Sequence, residues 1–435
     1  MSTINALISW PSAPLTDSLV RRAIAAISLP VAFISQEQLN LSPSPLLQWS
    51  TYDHIDHELV HCKRDSVLSS SYIFRKALIR KHYLSYIIQS YTKKYPDSIL
   101  HQAFPRTFQV EISFADELDE MWTDELWELG EDLDSGHSGW ILKPGMADRG
   151  MGIRIFHSKE NLQQIFEEFE HSDSEDGSET QDVPDTSVVT SQLRHFVIQE
   201  YIDTPLLLDP SETLEKGSSG ESLSGRKFHL RVYCVAKGNI QLYVYKRILA
   251  LFSSMPYLPL SSQSSDIDLK AHLTNTSLQT ELGDSNVRLL DELQGCHILS
   301  DGSGKTLTSS DIAELVTEIS TVLADVFRAA SQNPVHFQPL PNAFELYGVD
   351  FLVCHTPEDA DKRFHVKILE LNSEPAIELT GPRLTWILED LFESIAKVCV
   401  EPFFSDRKDA EPWIVSEVKH NLLKCMDENI RSPET

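Results

Sequence analysis

The spacing of apolar residues changes several times along the chain, and each change marks an element. Ile4 to Trp10 suits a strand, Leu15 to Ser28 carries apolar residues at helical intervals, and Val31 to Ile34 returns to a strand, so the chain opens as a small α/β unit. From Tyr72 to Tyr95, Ile73, Leu78, Ile79, Leu84, Ile87 and Ile88 predict a helix interrupted by basic positions. Glu111 to Asp134 is strongly acidic, yet Leu118, Met121, Trp122, Leu126 and Leu129 fit one face of an amphipathic helix. Trp140 to Lys143 and Ile153 to Phe156 read as strands around a glycine-bearing loop; Lys159 to Glu170 is a helix and Phe196 to Gln199 a strand. Arg226 to Tyr233 alternates with period two, which places Lys227, His229 and Arg231 on one face, with Ile240 to Leu251 as the expected hairpin partner.

The clearest helix is Asp311 to Ala330. Ser310 can cap it, Asp311 and Glu314 suit its first turn, and Ile312, Leu315, Val316, Ile319, Leu323 and Val326 form one stripe. FELYGVDFLVC and FHVKILELNSEPAIEL then read as two strands rich in β-branched and aromatic residues, and Leu384 to Val398 as a second packing helix. The tail beyond Pro412 is charged at its end and is expected to fray. Two stretches have almost no apolar content: the acidic segment 171–190, expected to be disordered, and the Ser/Gly/Glu-rich segment 210–225, expected to be flexible.

At 435 residues the chain can bury a sizeable core and suits two or three subdomains. Its formal net charge of -28 argues against a general nucleic-acid binder, which would gain from neutralising phosphates. Local basic runs remain: Arg75, Lys76, Arg80 and Lys81; Arg226, Lys227 and Arg231; Lys246 and Arg247. Each is either a solvated face or a contact for an acidic partner. The six cysteines are far apart and show no CxxC spacing, which suggests neither zinc nor a disulfide framework and fits a reducing cytosol. Arg21-Arg22 imitates a twin-arginine signal but sits behind an apolar run and is followed by Pro30, so it reads as part of the first α/β unit. No apolar run approaches a transmembrane length. His54, His57 and His61 have metal-like spacing, and the commoner reading is exposed or core-edge histidines.

The candidate chemistry lies in two places. Asp350 is on one predicted strand, and Glu370 and Asn372, two apart, face one side of the next. Two carboxylates and an amide suit a hard cation such as Mg²⁺ that carries nucleotide phosphates; a strand pair with a few polar edge residues is the plainer alternative. Upstream, WILKPGMADRGMGIRIF places Gly145, Gly150 and Gly152 in the loop, where backbone N–H groups can approach phosphate oxygens, with Lys143 and Arg149 adding charge. It is no Walker loop, because no GK[ST] follows.

Together these stretches resemble the tubulin-tyrosine ligase and ligase-like family of ATP-grasp enzymes. The resemblance runs over most of residues 46 to 380, through LLQWSTYDHI, FRKALIRK, a KPxxxxRGxGI hairpin, FVIQEYIDTPLLL, GRKFHLRVY, AHLTN, FELYGVDF and ILELNSEPA in order. It implies an α+β ATP-grasp fold with a nucleotide held between two α/β subdomains, 72–198 and 199–435, after a small α/β N-terminal domain, 1–71. The loop 143–153 is then a flexible phosphate loop. The resemblance further implies that Asp350, Glu370 and Asn372 hold Mg²⁺, that Lys76, Lys143, Gly150 and Lys227 face the phosphates of ATP, and that Gln199, Tyr201 and Ile202 form the adenine hinge. His272 and Asn275 lie near metal and phosphates on the same pattern. Arg231 would hold the acceptor carboxylate, so Arg231 and Glu370 carry the catalytic roles.

The implied reaction adds a free amino acid to a protein carboxylate through an acyl phosphate, in the cytoplasm, with a tubulin tail as one possible acceptor and no nucleic-acid or membrane partner. Three positions depart from the family: Glu200 stands where many members have lysine, which leaves the adenine contact to the backbone, His229 stands where it has aspartate, and Leu251 where it has a substrate-binding arginine, which Lys246 or Arg247 could replace only in a different register. Those departures leave open a chain that keeps the nucleotide site and acts as a scaffold for a protein partner.

Overall fold

A computed structural model describes residues 3–41, 45–136, 139–146, 150–172, 194–212, 223–260, 269–274, 286–357, 360–405 and 413–430. Four short parallel strands, β1 (Ile4–Leu7), β2 (Val31–Ile34), β3 (Leu46–Gln48) and β4 (Val67–Ser69), form the first sheet in the order β2-β1-β3-β4. Between the first two runs α1 (Pro14–Ala25), which has proline in its first turn and buries Leu19, Val20, Ala23 and Ile24. The helical pattern of 72–95 is split. Lys76–Ile79 makes one turn, Arg80 is extended, and α2 (Lys81–Lys94) starts afresh.

A second, antiparallel sheet takes β5 (Thr107–Glu111), β6 (Trp140–Pro144), β7 (Arg154–Phe156) and β8 (His195–Glu200) in the order β5-β8-β6-β7. Leu162, Phe166 and Phe169 of α3 (Lys159–Ser172) cover it. The acidic stretch expected as one helix begins instead inside β5 and continues as short helical pieces, Leu118–Met121 and Trp127–Ser135. Its apolar residues Leu118, Leu126 and Leu129 are nevertheless buried in the same cluster.

The third sheet has nine strands: β9 (Leu207–Leu208), β10 (Arg226–Lys237), β11 (Gln241–Tyr245), β12 (Leu249–Phe252), β13 (Val287–Leu289), β14 (Phe344–His355), β15 (Phe364–Ser373), β16 (Val418–Lys419) and β17 (Leu422–Asp427). Its spine is β10, which pairs with β12 at one end and β11 at the other along one edge, and with β14 along the opposite edge. The expected single partner from Ile240 to Leu251 is therefore two strands. The tail beyond Pro412 also differs from expectation, since β17 pairs with β11 and buries Leu422 and Met426.

Alternation decides which residues face which layer. Leu230, Val232, Val349 and Phe351 pack on α4 (Ser309–Ser331); Tyr233, Val235 and Phe344 pack with α1 and α5 (Thr385–Ile395). The cap of α4 is Thr308 rather than Ser310: its hydroxyl accepts from the Asp311 N–H at 3.2 Å, while Asp311 accepts from the Thr308 N–H at 2.7 Å. Among the described residues no helix is long and apolar enough to cross a membrane.

A buried ion pair joins the segment that follows β4 to the third sheet. Arg75 is paired with Glu345 of β14, lies 3.8 Å from Glu374, and places its guanidinium 4.1 Å from the Tyr52 ring centre. Glu345 also accepts from Ser71, the Tyr72 N–H and Tyr347. Burial raises the Glu345 pKa, opposed by Arg75 and these donors. Arg75→Ala should cost about 3–5 kcal/mol, because it leaves a buried charge without its partner. Arg75→Met with Glu345→Leu should recover most of that loss, read as denaturant midpoints; a single variant as stable as the parent would rule out a structural role for the pair.

Candidate active site

The registers of three strands bring the key side chains into one transverse row. Arg231 of β10 lies opposite Asp350 of β14, and Asp350 lies opposite Glu370 of β15; two pairs further on, Gly348 lies opposite Asn372. A bulge falls between Asp350 and Phe351. Arg231 grips Asp350 with two parallel bonds, Nε at 2.5 Å from Oδ1 and Nη2 at 3.1 Å from Oδ2. Lys81, the first residue of α2, puts Nζ 2.9 Å from Glu370 Oε2, and Asn372 Nδ2 donates to Glu370 Oε1 at 3.1 Å. Burial opposes ionisation of Glu370, but Lys81, Asn372 and Lys143 outweigh it and hold the carboxyl well below the usual carboxylate range. Both acids are thus matched by cations of the chain itself, and two carboxylates beside an amide oxygen form a donor set suited to a hard divalent ion.

Along the cleft from this row lie two buried lysines. Lys143 of β6 donates to Gln199 Oε1 at 2.6 Å, and Gln199 Nε2 donates to Thr107 at 3.1 Å. Lys227 of β10 places Nζ 3.2 Å from the Tyr201 hydroxyl and 4.4 Å from its ring centre. Burial pushes both ammonium groups down to about 8; for Lys143, Glu370 works against the shift and Lys81 adds to it. Tyr201 in turn contacts His272 Nδ1 at 2.7 Å. His229 has Nδ1 at 2.5 Å from the Thr274 hydroxyl and Nε2 at 3.6 Å from Asp350 Oδ1, and burial lowers its pKa, favouring a neutral ring. These groups line a cavity of about 80 Å³ together with Glu200 and the apolar Ile141, Ile153 and Leu352.

Most predicted site residues therefore meet around one cleft: Lys143, Gln199, Tyr201, Ile202, Lys227, His272, Asp350 and Glu370 line it, while Arg231 and Asn372 hold its acids. Lys76 does not join them; it is exposed, and Lys81 supplies the cation beside Glu370. Asn275 and Arg149 lie outside the described residues. Gly150 and Gly152 have φ of 79° and 69°, where a side chain costs roughly 1–2 kcal/mol. Leu251 pairs with His229 across the strands and is buried in an apolar cluster with Val287 and Leu289. Neither Lys246 nor Arg247 compensates: Lys246 is exposed, and Arg247 lies over the Trp386 ring at 5.4 Å. The three histidines are engaged separately: His54 with Ser9, His57 with the Tyr52 carbonyl, and His61 with Arg64.

The sequence model of the tubulin-tyrosine ligase family matches residues 64–408. The chain belongs to this family. A Saccharomyces cerevisiae relative, named as probable tubulin–tyrosine ligase PBY1, is 37% identical over 399 residues, which are 88% of this chain and 49% of that protein. The chain thus spans about half the length of that relative. A Schizosaccharomyces pombe protein, also named as a probable tubulin–tyrosine ligase, is 36% identical over 374 residues, 82% of this chain and 83% of that one. A solved structure of the C-terminal domain from K. lactis Pby1, described as an ATP-grasp enzyme interacting with the mRNA decapping enzyme Dcp2, matches with a TM-score of 0.67 at 29% identity over 98% of this chain and 99% of that one. The fold is accordingly ATP-grasp, an α+β architecture, and it implies use of ATP.

In a family member of this fold the two softened lysines have a measurable consequence. Each loses its charge as pH rises through about 8, and a bound triphosphate would return each toward an ordinary lysine pKa. Nucleotide affinity should then fall by about tenfold per lysine between pH 7 and pH 9, and Lys227→Arg should remove one share of that fall. Calorimetric titration with a non-hydrolysable ATP analogue checks this; constant affinity across the range would exclude both ammonium groups from phosphate contact.

Proposed function

We propose that the chain is an ATP- and Mg²⁺-dependent carboxylate–amine ligase that adds an amino acid to a carboxylate of a protein. The observation that carries this reading is the transverse row, in which two acids already matched by Arg231 and Lys81 stand at the end of a cleft holding Lys143 and Lys227. Asp350, Glu370 and Asn372 would hold Mg²⁺, which when bound neutralises charge developing on the terminal phosphates. Lys143, Lys227 and Lys81 would face those phosphates. The Tyr201 N–H is committed to the Gly139 carbonyl at 2.9 Å, so backbone recognition of the adenine edge falls to Ile202.

The chain's own contribution is positioning and charge rather than covalent catalysis. Arg231, whose paired N–H groups grip Asp350, has the fork that would equally hold an acceptor carboxylate. The acceptor oxygen would take the terminal phosphoryl group of ATP as ADP leaves; the amine would then attack the acyl carbon, phosphate leaving with the C–O electron pair and the amine's surplus protons passing to solvent. Residues 143–146 and 150–153 would close over the site and keep water from that carbon.

A second reading rests on Leu251 and His229. With no arginine at 251, and neither Lys246 nor Arg247 lining the cleft, one acceptor contact of the family lacks its group, which favours a nucleotide-binding scaffold acting through a protein. The relative's interaction with Dcp2 makes an mRNA-decapping protein a candidate partner, beside tubulin tails, and a cytoplasmic location fits either.

Labelled amino-acid incorporation into candidate acceptors, set beside Mg²⁺-dependent ATP affinity, separates the two. Glu370→Gln should abolish Mg-ATP-dependent activity, and wild-type turnover from the purified variant would sink the metal assignment. Lys81→Ala should weaken nucleotide binding at least tenfold while Lys76→Ala changes it less than twofold, the reverse of what the sequence pattern alone predicts; a larger loss at Lys76 would return the role to that residue.

A further inference from the structure

One edge of the second sheet is open where a groove meets it. β5 pairs with β8 alone, so its other edge has no strand partner. The ladder fixes which groups face that edge. The Ile112 N–H donates to the Arg194 carbonyl and the Arg106 carbonyl accepts from the Glu200 N–H, each at 2.9 Å, so Arg106, Phe108, Val110 and Ile112 bond toward β8. Thr107, Gln109 and Glu111 therefore turn their backbone N–H and C=O groups outward. At one end the Thr107 carbonyl accepts from Gln89 Nε2 of α2 at 2.6 Å; past the other, the Ser113 N–H donates to Glu117 Oε2 at 3.3 Å. Between these two closures, roughly 20 Å of chain, Gln109 and Glu111 lie on a cavity of about 620 Å³.

The opposite wall of this groove is α2, which contributes Tyr83 and Tyr86. Tyr83 stacks on His336 with ring centres 4.1 Å apart, and Tyr86 is 52% exposed. His82 stacks on His195 at 4.7 Å, and Met121 adds an apolar contact surface. Glu111 and Glu125 line the groove, and no lysine or arginine does. Glu111 has His195 Nδ1 at 3.9 Å, beyond hydrogen-bond reach. The segment that carries Glu125 also exposes Asp116, Asp119, Glu120 and Asp124, whereas Arg106 is already shared between Glu128 and Asp132. Open backbone, aromatic rings and unmatched carboxylates thus meet in one place.

We propose that this groove docks an arginine-bearing segment of a partner protein as an added strand on β5. The segment's main chain exchanges hydrogen bonds with Gln109 and Glu111. Arginines at alternate positions fall on one side of such a strand, where their guanidinium groups stack on Tyr83 and Tyr86 and pair with Glu111 and Glu125. The sign of the rim selects the occupant. A nucleic acid would bring phosphates to these carboxylates. A second copy of the chain, paired edge to edge, would set two acidic rims together, which is how sheets avoid pairing with themselves. This site stands whether or not the ligase reading does, because its lining and that of the nucleotide cleft have no residue in common.

The test is fluorescence anisotropy of the full chain with a short labelled peptide in which arginine alternates with valine. The peptide should bind, and the same peptide with glutamate in place of arginine should not. N-methylation of one alternate set of its amides should weaken binding about tenfold, while methylation of the other set changes it little, since an added strand uses one edge only. Glu125→Lys and Tyr86→Ala, both at exposed positions, should each weaken binding about tenfold with denaturant midpoints unchanged. Equal effects of the two methylated sets would mean general attraction to an acidic chain and would overturn the strand addition. Absence of binding, binding indifferent to both variants, or displacement of the peptide by a single-stranded oligonucleotide would overturn it too. Dimerisation of the parent chain that Tyr86→Ala abolishes would give the edge to a second copy instead. Should either variant lose stability, the two methylated peptides on the parent chain still decide.

Discussion

Two carboxylates placed directly across from each other on adjacent strands repel, and burial strengthens that repulsion. The pairing of Asp350 with Glu370 can persist only because a cation flanks each: Arg231 one strand over, Lys81 from the helix above. The rest of the architecture serves this arrangement. Register across β10, β14 and β15 aligns the row, and α4 behind the sheet leaves those strands little freedom to slip, since a one-residue shift would turn Leu230, Val349 and Ile368 away from the core.

Lys81 links this row to the glycine loop. Its backbone N–H donates to the Gly145 carbonyl at 3.3 Å, and the Gly145 N–H donates to the His195 carbonyl at 2.7 Å. The side chain that neutralises Glu370 and the backbone that starts the loop are therefore held by the same residue. A shift of the loop would be felt at the acid row through α2, and exchange of Lys81 from Glu370 to a phosphate would be felt by the loop.

Much of this was legible in the sequence because it depends on local rules. Period two in RKFHLRVY put Lys227, His229 and Arg231 on one face, and the two-residue spacing of Glu370 and Asn372 did the same on β15, where Asn372 now donates to Glu370. What escaped depends on long-range geometry. Nothing in FRKALIRK, which has neither proline nor glycine, announces that Arg80 is extended, yet that break carries Lys81 rather than Lys76 to the acids. The tail looked frayed because its pairing partner, β11, lies some 180 residues earlier, and β17 is recognisable as a strand only once that edge exists. Helix capping by Thr308 instead of Ser310 is a smaller error of the same kind, two hydroxyls competing for one end and the tertiary contacts choosing.

The departures at His229 and Leu251 act differently on the site. An aspartate at position 229 would set a third buried acid close to Asp350 and compete for Arg231; a neutral His229, fixed by Thr274, leaves Arg231 committed to Asp350 alone. That substitution preserves the balance of the acid row and changes only what the cleft wall can donate or accept. Leu251 is of another kind, because it sits in an apolar cluster with Val287 and Leu289, where an arginine would need a new partner or a path to the cleft. On the ligase reading, the nucleotide end can therefore stay intact while the acceptor end must find its second cation elsewhere, or take an acceptor that needs only one.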